Sequence, residues 1–374
     1  MVLSKVGGWQ SSGLFAATHS IRAVMTRYPE VFEKRKRMKR SRIVIIVVFI
    51  TVMLLMSACV PGPRTVGTPG VEISEDMVFV SYQNFVYGLS TETGDKVWNF
   101  PEEANNQVVF YAQPYVNGDY VYVGDLANNF HKLSIETGSA EWTFSDGKGF
   151  YLGQAAVDDG IVYAPSNDGN LYVLDAEGNL LWSFKTNHYI WAQPQVSTDA
   201  VFVGSMDHYV YAISKDGQEL WSVQMAGAVV GSPQLNEDGS RLFVGSIGGQ
   251  MVALDTQNGQ IDWMFDGNGD VESIWGKPLL VDGALYFADS AGQLFSLDAE
   301  NGTSNWQADF SGGVVGGISP IEDGIALATS EGLIKAFNLD GSPKWEATLE
   351  GETFQEPVAN EDMLVAGTIN GENL

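Results

Sequence analysis

The sequence predicts an all-β fold: an eight-bladed β-propeller of four-stranded antiparallel blades, the last blade incomplete, following an N-terminal signal or anchor segment. Three observations predict it. A glycine is followed four residues later by a tryptophan seven times, at Gly94/Trp98, Gly138/Trp142, Gly178/Trp182, Gly217/Trp221, Gly259/Trp263, Gly302/Trp306 and Gly341/Trp345. Successive tryptophans lie 44, 40, 39, 42, 43 and 39 residues apart, and a period of about 40 to 45 residues is the length of one four-stranded blade. Most units open on a proline, and aligning on the strand that follows gives eight openings: Pro69, Pro114, Ala155, Pro194, Pro233, Pro278, Pro320 and Pro357.

Along the chain, residues 1–37 form an unassigned extension without a motif, and Met38-Lys39-Arg40 reads as a better translation start. Residues 38–59 read as a secretory signal: the basic runs Lys34–Arg37 and Lys39–Arg42 precede an uncharged apolar run, Ile43 to Met56, which ends in Ser57-Ala58-Cys59. This segment resembles the signal of bacterial lipoproteins, in which the cysteine is lipidated and becomes the mature amino terminus. Met56 stands where that pattern usually has Leu. The alternative is an uncleaved anchor, since Ile43 to Val60 is 18 residues, close to the shortest spanning length of about 17. Either way the reading is extracytoplasmic and membrane-anchored, a periplasmic or cell-surface lipoprotein. Residues 60–65 are a short linker, and the propeller occupies 66–374.

Each unit repeats strand, turn, strand, turn, strand, as in 282–306. Runs such as Val121–Gly124 and Leu171–Leu174 alternate in the manner of strands with one face on a neighbouring sheet. The repeated glycines sit in Asp/Glu/Asn-rich turns, where positive φ suits glycine. The tryptophans Trp98, Trp142, Trp182, Trp221, Trp263, Trp306 and Trp345 are read as structural, each ring filling the gap between adjacent blades. The last unit holds two strands, around Pro357 and Met363–Ala366, and the amino terminus is expected not to supply the missing pair. A seven-bladed ring with a spare hairpin, or a chain cut short at its gene's end, are the alternatives.

Charge excludes one class of partner. Of 46 acidic residues only Glu30 and Glu33 precede Cys59, whereas ten of the 20 basic residues do, so residues 60–374 carry 44 acids against 10 bases, a net charge of -34. Such a surface repels nucleic acid and anionic headgroups. Cys59 is the sole cysteine, which leaves the propeller without disulfide, thiol chemistry or a cysteine metal site.

The turns Leu174–Gly178, Leu254–Gly259 and Leu297–Gly302, each completed by Trp four residues on, resemble the repeat of the pyrroloquinoline-quinone-like propellers, over nearly all of residues 66–370. That resemblance implies one of two branches: quinoprotein alcohol dehydrogenases, or the lipoprotein of the outer-membrane β-barrel assembly machinery, a non-enzymatic scaffold. The dehydrogenases typically pair adjacent cysteines near the cofactor and hold calcium and a catalytic aspartate above it. With no cysteine after Cys59, the enzyme branch lacks its clearest mark. His131, His188 and His208 fall in three different units without metal-ligand spacing and read as surface or loop histidines, while Asn167–Asn170 and Asp266–Asp270 read as tight turns. No catalytic residue, metal or cofactor is expected.

One constellation remains. The residues before the opening positions are Thr68, Gln113, Gln154, Gln193, Ser232, Lys277, Ser319 and Glu356, all polar. Two residues earlier, on the same strand face, stand Val66, Tyr111, Leu152, Trp191, Val230, Trp275, Gly317 and Phe354. A polar ring beneath an aromatic rim is the general form of a small-molecule pocket, and a water-filled channel plugged by aromatics is the alternative. Lys277 and Glu356 are the only opposite charges of the ring. The resulting expectation is a non-catalytic envelope lipoprotein whose propeller scaffolds other envelope proteins, with a small-ligand receptor at the channel mouth as the alternative.

Overall fold

The computed structural model describes residues 21–26, 44–50, 69–74, 76–361 and 363–369. Seven propeller blades, each of four consecutive antiparallel strands, surround a central channel. Blade 1 is built from Gly70–Ile73, Met77–Tyr82, Phe85–Ser90 and Lys96–Phe100, and blades 2 to 7 follow at 115–144, 156–185, 195–224, 234–265, 279–309 and 318–348. The second and third strands are buried on both faces, as in Ala200–Gly204 and Tyr209–Ser214, because neighbouring blades cover them from either side. The fourth strand alternates exposed and half-buried residues, since it forms the outer edge.

The tryptophans and glycines of the repeat serve different interfaces. In the first six blades the indole Nε1 donates to a backbone carbonyl of the next blade: Trp98 to Ile135, Trp142 to Ala176, Trp182 to Lys215, Trp221 to Thr256, Trp263 to Ala299 and Trp306 to Leu339, all at 2.9–3.1 Å. The face of each of these six rings is covered by the repeat glycine of that next blade. A Cβ on Gly217 would meet the Trp182 ring at 2.9 Å, and one on Gly302 would meet Trp263 at 2.6 Å. With φ of +88° and +72° at these positions, glycine is required both by the turn and by the ring that lies against it.

The ring has seven such blades and not the eight expected. The opening at Pro357 delivers only the hairpin Val358–Ala359 and Met363–Ile369. That hairpin is inserted between blades 7 and 1. One face packs Val358, Met363 and Val365 on Val71, Val78 and Val80, and the other packs Leu364 and Ala366 on Ala326, Ile334 and Ala336.

Its free edge does not stay unpaired. Val44–Ile50 runs parallel to Met363–Ile369, and Ile21–Thr26 pairs antiparallel with Val44–Ile50. The result is a mixed four-stranded sheet, unlike the antiparallel blades of the repeat. The expectation that the amino terminus could not supply both missing strands counted only the residues after Cys59, whereas both come from upstream of it. A run such as Val-Ile-Ile-Val-Val-Phe-Ile is apolar and β-branched, and therefore suits a strand as well as a signal. The remainder of the expected signal segment lies outside the described residues, as do Cys59, the 60–65 linker, Val66 and Thr68.

Candidate functional site

The first strand of each blade lines the axis, where a cavity of about 1140 Å³ opens. Its register is fixed by pairing to the second strand. Glu72 faces Phe79 as Tyr115 faces Tyr122, Gln195 faces Phe202, Leu279 faces Tyr286 and Ser319 faces Ala326. Counting back two residues from each gives the polar ring as observed: Gly70, Gln113, Gln154, Gln193, Ser232, Lys277, Gly317 and Glu356.

The expected ring therefore changes in two blades. Pro69 and Pro320 do not stand where Pro114 stands, so counting from proline slips by two residues in blades 1 and 7. Ser319 lies one layer deeper, beside Glu72, and Gly317 belongs to the ring and not the rim. The ring is consequently not polar throughout. Glycine at 317 has a local reason, because a Cβ there would collide with the Glu356 carboxylate.

The structure brings Tyr111, Gln113, Gln154, Trp191, Gln193, Trp275, Lys277, Phe354 and Glu356 around this one cavity, with Val315 completing the rim in blade 7. Several ring groups are already engaged in holding blades together. Gln154 Nε2 donates to the Pro114 carbonyl at 2.8 Å, and Gln193 Nε2 donates to that of Ala155 at 2.8 Å. One layer deeper, Ser319 does the same toward Pro357. Trp191 is held in place by its Nε1 donating to Asn167 Oδ1 at 2.8 Å.

Glu72 is the site residue missed in the sequence. Its Oε1 accepts from the Ile73 amide at 3.0 Å and its Oε2 from Gln154 Nε2 at 2.9 Å. Burial nevertheless pushes its carboxyl up to about 7, the nearby Glu356 adds to the rise, and Lys277 opposes it. Glu356 is likewise raised by burial, with Lys277 opposing. Pairing the "Val-x-Val" second strands of blades 1 and 2 would have found Glu72, because it places Val71, and not Pro69, in the position of Pro114.

The histidines are not all peripheral. His131 is buried against Phe100 and Phe110, with Nδ1 3.0 Å from Thr143 Oγ1 and Nε2 3.2 Å from Asp125 Oδ2. That bond and those from Asn129 hold the Asp125 carboxyl below its usual range against the cost of burial. His188 packs beside Tyr189, and His208 sits in a turn at φ +74°. In the turn at Asn167–Asn170, Asp168 accepts from the Asn170 amide and the Tyr172 hydroxyl at 2.8 and 2.7 Å. Among the described residues no three His, Cys, Asp or Glu side chains converge on a metal position.

The profile of one family, described as outer membrane protein assembly factor BamB, matches residues 60–187, 147–236 and 207–372, together nearly the whole propeller. The chain belongs to the BamB family. It is similar to the outer membrane protein assembly factor BamB of Xanthomonas campestris pv. campestris, 30% identical over 105 residues, which are 28% of this chain and 25% of that protein. The matched stretch thus spans about a quarter of that relative's length. Among solved structures, BamB from Moraxella catarrhalis superposes with a TM-score of 0.66 at 17% identity, covering 78% of this chain and 90% of that one. The computationally designed Ika8 protein superposes with a TM-score of 0.67 at 16% identity, covering 81% and 93%. At such identities the likeness is one of fold. A natural assembly factor and a designed protein share this ring, so the ring alone specifies no activity.

Proposed function

We propose that the protein is a non-catalytic, lipid-anchored scaffold of the cell envelope that binds other envelope proteins during outer-membrane protein assembly. Membership of the BamB family supports the process. The observation that carries the binding role is a band of apolar side chains on the outer strands of three consecutive blades. Leu180 and Leu181 in blade 3, Leu220 in blade 4, and Ile261 and Met264 in blade 5 are each about half exposed, at 46–53%. Outer strands of blades 2, 6 and 7 carry Glu141, Asn305 and Lys344 next to their tryptophans instead, and blade 1 adds only Val97, 55% exposed and outside the run of three blades. A localised apolar band on an otherwise strongly acidic surface has the composition of a protein contact. Outer strands also present unpaired backbone groups to which a partner strand can add.

Membrane attachment is assigned to Cys59 on the signal-like sequence before it. The experiment is photo-crosslinking in living cells, with a crosslinker at position 220 or 264 and, for comparison, at Lys344. Envelope proteins captured at 220 and 264 but not at 344, and lost in Leu181→Asp/Leu220→Asp with the melting temperature unchanged, support the scaffold. Equal capture at all three positions would overturn the docking band. Labelling by fatty acid that disappears in Cys59→Ala tests the anchor separately.

A further inference from the structure

We propose that the channel mouth is a binding site for an organic cation, an ammonium or guanidinium group carried on an aliphatic or aromatic body. Three features of the cavity point there. The mouth is ringed in alternate positions by Tyr111, Trp191, Trp275 and Phe354, and aromatic faces attract cations through their negative π surfaces. Beneath them two carboxyl groups, Glu72 and Glu356, face a single cation, Lys277, so the floor gains an excess of negative charge once Glu72 ionises. Two of the neutral donors that would recognise an uncharged ligand, the Gln154 and Gln193 amides, are bound to backbone carbonyls of neighbouring blades.

Glu356 is partly open to the cavity and accepts no hydrogen bond from any described residue, and burial around it raises the cost of its charge. An arriving ammonium would supply the missing partner. The volume of about 1140 Å³ accommodates a ligand of several carbons with room for water. A chelated metal fits less well: no third carboxylate, histidine or cysteine joins the pair among the described residues.

The titratable groups facing the cavity are Glu72, Glu356, Lys277, Tyr111 and Tyr115. Tyr115 is raised above its usual value of 10.0 by burial and by Glu72, so it remains a neutral phenol across the working range. Glu72 titrates near 7 and carries a proton below that pH. A bound cation favours its ionised form, so binding expels the proton and strengthens as pH rises through 7.

Isothermal titration of the full-length chain with benzylamine and with cadaverine, against benzoate and glutarate as controls, tests this at pH 6 and pH 8. The amines should bind with one site per chain, about tenfold more tightly at pH 8 than at pH 6, and the two acids should not bind. Glu356→Gln should weaken the amines about tenfold, and Lys277→Ala should strengthen them. The two variants move affinity in opposite directions, so either one decides the matter if the other fails to fold. Comparable binding of benzoate, or amine affinity unchanged in both variants, overturns the proposal, the latter because it would assign the attraction to the acidic surface as a whole.

Discussion

Trp263 contributes to the ring through both its edge and its face, since its Nε1 reaches the Ala299 carbonyl at 3.1 Å while Gly302 covers the indole. It is only 8% exposed. Trp263→Ala should therefore cost about 3–5 kcal/mol, as for a large aromatic lost from a core. Trp191→Ala, at the rim, should cost far less, and chemical denaturation of the two variants checks the difference. Gly217→Ala should destabilise by about 1–3 kcal/mol, because it adds left-handed strain to a contact with Trp182. Two carboxylates give opposite pH signatures. Asp125 is held below 3.8, so its stabilisation is complete above that pH and is lost as pH falls through its lowered value. Glu72 is raised from 4.5 to about 7, so its contribution is complete below pH 4.5 and declines as pH rises toward 7. Melting temperatures should fall over that upper window in the native chain and fall less steeply in Glu72→Gln, which leaves the raised Glu356 in place.

Among the elements, the blades were legible from the tryptophan period because one ring per interface repeats at fixed spacing. The channel strands were legible only in part. Proline marks the start of a strand without fixing its register, and a slip of two residues keeps a side chain on the channel face while moving it one layer. That is why Ser319 was misplaced and Glu72 overlooked, although most of the rim and ring residues were identified. His131 was missed for another reason: a buried histidine needs an acceptor such as Asp125, six residues earlier across a turn, and spacing alone does not reveal the contact. The strand Val44–Ile50 is apolar enough for either a signal or a sheet edge, and only the bare edge of Met363–Ile369 selects the latter. Hydrogen exchange should reveal the difference. In a chain processed before Cys59, the outward-facing amides of Met363–Ile369 should exchange faster than in the unprocessed chain, while Leu364 and Ala366 remain covered by blade 7. Equal exchange in both forms would show that the parallel pairing is not maintained.

At the scale of the whole molecule, eight apolar clusters fill the gaps between neighbouring sheets, and the two that include Val365 and Leu364 join the beginning of the ring to its end. Deleting residues 357–369 would bare the flanks of blades 1 and 7 together. Such a chain should lose its single cooperative transition and bind a hydrophobic dye, whereas a deletion that merely shortened an outer edge would lower the midpoint and keep the transition sharp. The placement of the closing hairpin also sets an order of events. When a chain emerges amino end first, the flank of blade 1, carrying Val71, Val78 and Val80, waits for residues synthesised almost three hundred positions later. During that interval a surface of another molecule can cover it, whether an escort that holds the open ring or a second copy whose hairpin inserts in place of its own. Crowding of half-finished chains is thus the circumstance in which this ring is most exposed to exchanging its clasp with a neighbour.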